Sequence, residues 1–346
     1  MKIVIAAGGT GGHIYPGIAI AEELKARDPK GEIAFIGSRE GLEADLIPRE
    51  GYKIELIHAR ALLRKISYKA ISAPFVTLRG FFEAVSILRR IKPDLVLVTG
   101  GYVSFPVLAA AKLLGIKTLL SEQNVLPGMT NRFWSRFVDI LAISFPETNK
   151  YLKGTVTGNP VRKRILDLKK HKEPRPTVVI LGGSQGARSI NNALIDQLPK
   201  LHQIGIIHII GQRDHEQILS RIDRPRFPFY EPQAYLYNIE AALSRTDLIV
   251  SRAGATAIAE ILALSLPSIL VPFPYSAEGH QDLNAEVIGK AGAGVVLKDQ
   301  ELGKLGDIIL ELLGKPEQLR QMAQAARKLA RPEAASKIAD LIYAIN

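Results

Sequence analysis

Short apolar runs that end in glycine turns and lead into amphipathic segments recur along the whole chain, and this alternation leaves few folds open. The pattern predicts β-α units wound around a parallel sheet. It opens each half in the same way, with Val4-Ile5-Ala6-Ala7-Gly8-Gly9-Thr10-Gly11-Gly12 in the first and Val179-Ile180-Leu181-Gly182-Gly183-Ser184-Gln185-Gly186 in the second. Candidate strands are 2–7, 32–37, 53–58, 94–99, 117–121 and 139–144, then 177–181, 204–210, 247–251, 268–271 and 294–297. Between the two sets, Lys169-Lys170-His171-Lys172-Glu173-Pro174-Arg175-Pro176 is polar and twice interrupted by proline, which places a linker around 160–176. Two doubly wound α/β domains follow, and 346 residues suit two domains.

The composition excludes several classes. With 47% hydrophobic and 23% charged residues the chain is an ordinary globular one, neither disordered nor fibrous. Cysteine is absent, so disulfides, thiolate metal sites and a cysteine nucleophile are excluded. Met1-Lys2 runs straight into a strand-like segment without the features of a signal peptide, so a cytoplasmic chain is expected. Residues 95–111 and 261–277 carry no charge, but Gly100-Gly101 and Pro106 break the first and Pro267, Pro272 and Pro274 the second. Both read as buried strands followed by turns, and no membrane span is expected.

Glycine turns between strand and helix gather backbone N–H groups at the positive end of a helix dipole, which suits phosphate. A third such turn is Ser251-Arg252-Ala253-Gly254-Ala255-Thr256. The dinucleotide fingerprint fails, since Gly9 and Gly11 are followed by Ile14 and the second strand ends in Gly37-Ser38 instead of an acid. Walker A fails as well, and no D-x-D is present, so a nucleotide site without cofactor or metal is expected. His13 precedes a helix whose first turn can take Pro16. It reads either as a general base, because imidazole ordinarily titrates near neutral pH, or as a polar turn residue. Glu260 reads either as an acceptor for a ribose diol or as a solvated helix residue. Between residues 59 and 92, eight Lys or Arg stand against Glu83 alone, interleaved with Leu62, Leu63, Phe75, Phe81, Phe82 and other apolar residues. That region reads as an anionic-membrane surface or as a core helix with a basic outer face. No nucleic-acid motif accompanies it, and no nucleic-acid partner is expected.

Seven signatures in order resemble the MurG family of UDP-N-acetylglucosamine:lipid I N-acetylglucosaminyltransferases: Gly8-Gly9-Thr10-Gly11-Gly12-His13, Gly100-Gly101-Tyr102-Val103-Ser104, Glu122-Gln123-Asn124, Gly158-Asn159-Pro160-Val161-Arg162, Gly182-Gly183-Ser184-Gln185-Gly186-Ala187, Ser251-Arg252-Ala253-Gly254-Ala255, and His280-Gln281 with Asn284-Ala285. The resemblance spans the chain. It implies the GT-B fold, two Rossmann-like doubly wound domains facing a cleft. Residues 1–160 would take the lipid acceptor and dock on the membrane, 161–331 would bind UDP-GlcNAc, and a helix in 332–346 would return to the first domain. It implies an inverting transfer of GlcNAc to lipid I, giving lipid II, at the cytoplasmic face of the bacterial inner membrane, with His13 as candidate base. It leaves room for assemblies with other cell-wall enzymes.

By the same resemblance Thr10, Gly11 and Gly12 would form a turn at the sugar and diphosphate, and Asn124 would reach the sugar. Arg162 and Ser184 would contact the nucleotide and its phosphates, and the backbone of Leu236 would bind uracil. The segment Ala255, Thr256, Ala257, Ile258, Ala259, Glu260 would set a helix N-terminus on the diphosphate and Glu260 on the ribose, while Gln281 would read GlcNAc hydroxyls. Ala257 and Ala259 stand where relatives often carry hydroxyls, so backbone N–H groups would have to suffice there. A UDP-GlcNAc 2-epimerase or hydrolase of the same architecture is the alternative enzyme, and a non-catalytic membrane adaptor the alternative outside enzymes.

Overall fold

The computed structural model describes residues 1–60, 68–183, 186–236 and 238–345. The chain divides into two compact units, Met1–Lys163 with Arg331–Asn346, and Arg164–Ala330. The first unit contains β1 (Lys2–Ala6), β2 (Glu32–Ser38), β3 (Lys53–Ile57), β4 (Leu95–Val98), β5 (Lys117–Glu122), β6 (Ile140–Ile143) and β7 (Thr155–Val156). Among the described residues they form one parallel sheet in the order β3-β2-β1-β4-β5-β6-β7. Ile5 of β1 pairs with Phe35 on one side and Leu97 on the other. Every residue of β4 is buried, which is why it reads as an unbroken apolar run, as strands covered on both faces do.

One face of this sheet is covered by the helix Gly11–Arg27 and by the helix Ala334–Ala344, whose Ile338, Ala339 and Ile342 have no exposed surface. Burying each such isoleucine contributes about 2 kcal/mol. Arg27 latches the last helix by donating to the Asp340 carboxylate at 2.6 Å and the Ser336 carbonyl at 3.0 Å. The other face receives Ala84, Val85 and Leu88 from the helix Tyr68–Ile91, and Val107, Leu108 and Ala111 from Ser104–Leu113.

The second unit contains β8 (Thr177–Leu181), β9 (Gly205–Ile209), β10 (Tyr230–Gln233), β11 (Leu248–Arg252), β12 (Ser268–Val271) and β13 (Gly294–Val296), parallel in the order β10-β9-β8-β11-β12-β13. Each sheet therefore reverses its direction of growth once, at β1/β4 and at β8/β11. Doubly wound sheets open a crevice at the carboxyl ends of such a pair.

The alternation located every strand except β7 and β10. β7 is two residues long, and β10 carries Pro232, which is tolerated because β10 is an edge strand, paired among the described residues with β9 alone. Pro16 lies inside its helix and not in the first turn, because helical geometry begins directly after the glycine turn, at Gly11. The uncharged residues 95–111 become β4, a turn and the start of a helix. Among the described residues no helix is long and apolar enough to cross a membrane.

His208 on β9 has no exposed surface. Its Nε2 faces the Asn191 Oδ1 at 2.9 Å, and Asn191 Nδ2 donates to the Ile210 carbonyl at 3.0 Å, so Oδ1 accepts and Nε2 carries the proton. Nδ1 then accepts from the Tyr230 hydroxyl at 2.8 Å. Burial pushes the imidazole down to about 3 from its ordinary 6.5. Between those values the unfolded chain binds a proton that the native state refuses, so this contribution to stability is complete above pH 6.5 and is lost as pH falls toward 3. We expect the second unit to lose about 2 kcal/mol between pH 6.5 and 5 in urea unfolding, and His208→Gln to show a flatter pH slope. An unchanged slope in that variant would remove His208 as the source.

Candidate active site

In the first unit the turn after β1 passes through Gly9 at φ +96, a left-handed conformation that favours glycine. Thr10 is the N-cap of the following helix, extended at φ −136 and without a side-chain capping bond. His13 lies in the first turn of that helix and is half-buried. Its Nδ1 is 2.9 Å from the Thr99 carbonyl oxygen, just past β4, and 3.1 Å from Gln123 Oε1, just past β5. The Thr99 hydroxyl donates to the His13 carbonyl at 2.7 Å, so the residue is held at both its ring and its backbone. The ring lies against Gly100, where a Cβ would come within 2.8 Å of Nδ1 and where φ is +107. Both the space and the backbone angle therefore require glycine there.

Glu122 is 1% exposed, yet its carboxylate meets no cation among the described residues. It accepts from the Asn124 backbone at 2.8 Å, the Asn124 side chain at 3.2 Å, the Gly128 backbone at 3.2 Å and Asn131 Nδ2 at 2.7 Å. These charge-assisted bonds fix the loop that carries Gln123 and Asn124. A second buried carboxylate, Glu43, lies beneath the first glycine turn, taking the Gly9 N–H at 3.0 Å and the Ser38 N–H and hydroxyl at 2.8 and 2.7 Å. Arg162 belongs to this first unit, is 2% exposed, and places its guanidinium carbon 4.0 Å from the centre of the Tyr15 ring. Thr10, Gly11, Gly12, His13 and Tyr15 thus share one helix start, with Gln123 and Arg162 against it.

In the second unit Ser184 lies outside the described residues. Gly254 caps the helix Ala255–Ala263, whose first turn has neither an acidic residue nor a side-chain capping bond, and a Cβ at Gly254 would meet nothing within 4 Å. This helix start stands at the carboxyl end of β11, beside the reversal of strand order, and suits an anion. Ala255, Thr256 and Ile258 face inward, while Ala257, Ala259 and Glu260 are half-buried. The turn is stiffened by Arg252, which donates to Asp299 at 2.7 Å, to Ser189 at 2.7 Å and to the carbonyls of Val271 and Pro272.

Gln281 sits in the first turn of the helix His280–Lys290, and its Oε1 accepts the Phe273 N–H at 2.9 Å. Leu236 is half-buried in the segment between β10 and the helix Ile239–Ser244. Among the expected residues, His13 gains partners that motif reading did not assign, Thr99 and Gln123. Only the adjacency of Gln123 to Asn124 in the third signature hinted at one of them. Among the described residues no group of three or more His, Asp or Glu is placed to hold a metal ion.

Residues 3–143 match the glycosyltransferase family 28 N-terminal domain, and residues 177–341 its C-terminal domain. The UDP-N-acetylglucosamine--N-acetylmuramyl-(pentapeptide) pyrophosphoryl-undecaprenol N-acetylglucosamine transferase of Moorella thermoacetica is 41% identical, over 99% of this chain and 98% of that protein. The protein of the same name from Desulforamulus reducens is 40% identical over 98% and 97%. The crystal structure of Acinetobacter baumannii MurG superposes with a TM-score of 0.77 at 29% identity, over 99% of both chains. A UDP-GlcNAc 2-epimerase from Neisseria meningitidis bound to UDP-GlcNAc shares the fold, with a TM-score of 0.68 at 14% identity over 99% and 100%. With two Rossmann-like domains of the GT-B type and full-length relatives near 40% identity, the chain belongs to the MurG family of N-acetylglucosamine transferases.

Proposed function

We propose that this enzyme transfers GlcNAc from UDP-GlcNAc to the C4 hydroxyl of MurNAc in undecaprenyl-pyrophosphoryl-MurNAc-pentapeptide, with inversion, at the cytoplasmic face of the bacterial plasma membrane. The observation that supports it most is the setting of His13. With Nδ1 directed at two acceptor oxygens, the proton resides on Nδ1 and the lone pair on Nε2. Nε2 takes the proton of the C4 hydroxyl while that oxygen attacks C1 of GlcNAc. The bond from C1 to the diphosphate breaks on the opposite face, and a β-1,4 linkage and UDP result.

Charge developing on the leaving diphosphate is met by the backbone N–H groups and dipole at the start of the helix Ala255–Ala263. Those N–H groups make up for the missing hydroxyls at Ala257 and Ala259. Glu260 accepts from the ribose hydroxyls, and the backbone of Leu236 binds uracil. With Oε1 engaged by Phe273, Gln281 offers the sugar its amide N–H groups. Asn124 serves the sugar, and Thr10, Gly11 and Gly12 form a turn at the sugar and diphosphate. Arg162 and Ser184 complete the nucleotide contacts.

Membrane docking uses the helix Tyr68–Ile91. Phe75, Leu78 and Phe82 are 75%, 54% and 62% exposed at i, i+3 and i+7, on one face, while Ala84, Val85 and Leu88 go to the core. The helix is thus both a core helix and an apolar surface carrying the exposed Arg79, Arg89 and Arg90. Arg60, Arg79, Arg89, Arg90 and Lys92 of the basic region are described; Leu62, Leu63, Arg64 and Lys65 lie outside the described residues.

Two outcomes are expected. UDP release in EDTA should require a soluble lipid I analogue and yield a disaccharide, and His13→Ala should lower kcat about 10²- to 10⁴-fold with UDP affinity unchanged. Release without acceptor would instead indicate an epimerase or hydrolase. Replacing Phe75 and Phe82 together by Asp should lower co-sedimentation with phosphatidylglycerol vesicles at least about tenfold and leave turnover of the soluble acceptor intact. Unchanged sedimentation would place the membrane surface elsewhere.

A further inference from the structure

His13 can orient a proton only if something decides which of its nitrogens carries it, and two groups from separate strands make that decision. The Thr99 carbonyl oxygen, 2.9 Å from Nδ1, can only accept. Gln123 could present either end of its amide, but its Nε2 donates to the Ser121 carbonyl at 2.9 Å, which turns Oε1 toward His13 at 3.1 Å. Gln123 is 1% exposed and stands next to Glu122, whose carboxylate is bonded to Asn124, Gly128 and Asn131. The amide is therefore fixed from behind by groups buried in the first unit.

We propose that Gln123 is a positioning residue for the transfer reaction: it holds the imidazole of His13 in the Nδ1–H tautomer and sets the ring plane, so that Nε2 stays unprotonated and aimed for base catalysis. The proposal rests on the reading of His13 as the base. A neutral amide does this without placing a negative charge on the ring, as a carboxylate in the same place would. The other titratable groups of the surrounding turns are bonded elsewhere. Glu43 holds Gly9 and Ser38, Tyr102 meets the Ser38 hydroxyl, Glu122 holds its loop, and Arg162 stacks on Tyr15.

The test measures UDP release with the soluble acceptor across pH for Gln123→Leu, Gln123→Glu, His13→Ala and the His13→Ala/Gln123→Leu pair in the full chain. Gln123→Leu should lower kcat about ten- to a hundredfold while KM for UDP-GlcNAc moves less than about twofold. Gln123→Glu should recover part of kcat and move the acid limb of kcat/KM up by about one pH unit. In the His13→Ala background, Gln123→Leu should change nothing further, because its effect passes through the imidazole. An equal loss in both backgrounds, or a loss confined to KM, overturns the proposal. Wild-type turnover by His13→Ala would instead remove the base assignment itself, whatever the Gln123 variants do. Since Gln123 is buried, ¹⁵N-histidine spectra of the unmodified enzyme give a reading that needs no variant at position 123. His13, assigned by the signal lost in His13→Ala, should show a protonated Nδ1 and an unprotonated Nε2, and the opposite tautomer overturns the proposal.

Discussion

The surroundings of His13 in the first unit depend on one buried carboxylate. Glu122, at the end of β5, is withdrawn from water with no cation beside it among the described residues, an arrangement that would cost several kcal/mol if its oxygens went unmet. Four N–H donors from Asn124, Gly128 and Asn131 meet them, and in doing so they wrap the following loop around the end of the strand. Gln123 and Asn124 have no freedom to turn elsewhere. The Gln123 amide then reaches the His13 ring, the ring rests against Gly100, and Thr99 closes the arrangement from β4. Three neighbouring strands are thereby committed to one imidazole.

The same local plan, strand, glycine turn and helix, is tuned in opposite electrostatic directions in the two units. Beneath the first turn the side chain of Glu43 already occupies the Gly9 N–H. The helix start at Gly254 has no acid in its first turn and no side-chain cap. An anion suits the second environment, whereas in the first the Gly9 N–H is already taken. Shared backbone geometry therefore says little about which ligand each turn serves; the residues packed behind the turn decide it.

Much of this was legible in the chain because parallel strands buried on both faces announce themselves as apolar runs. Leu95-Val96-Leu97-Val98 could hardly be anything else. Tyr230–Gln233 was not, since a proline and alternating burial are what an edge strand permits and a central strand forbids. His13 stood out from its motif, but its partners lie 86 and 110 residues away, a distance that local patterning does not span. The exposed Phe75 and Phe82 are among the apolar residues whose mixture with basic ones suggested an amphipathic surface, and Leu78 joins them at helical spacing. The same helix also delivers Ala84, Val85 and Leu88 to the core, so the core-helix reading holds for those turns. His208, with its buried partners Asn191 and Tyr230, carried no local signal, because what sets it apart is the apolar shell that packing builds around it.

The first unit is also discontinuous: Arg331–Asn346 completes a core that begins at Met1, with all of Arg164–Ala330 interposed. During synthesis the helix Gly11–Arg27 emerges early and exposes the apolar face that Ile338, Ala339 and Ile342 will later cover. Until the ribosome has made those turns, the nascent first domain carries an open hydrophobic seam, while the second domain can fold as an uninterrupted stretch of chain. The order of maturation is thus the reverse of the order of translation: the half made second is free to finish first, and the half bearing His13 is sealed only once Ala334–Ala344 has been made.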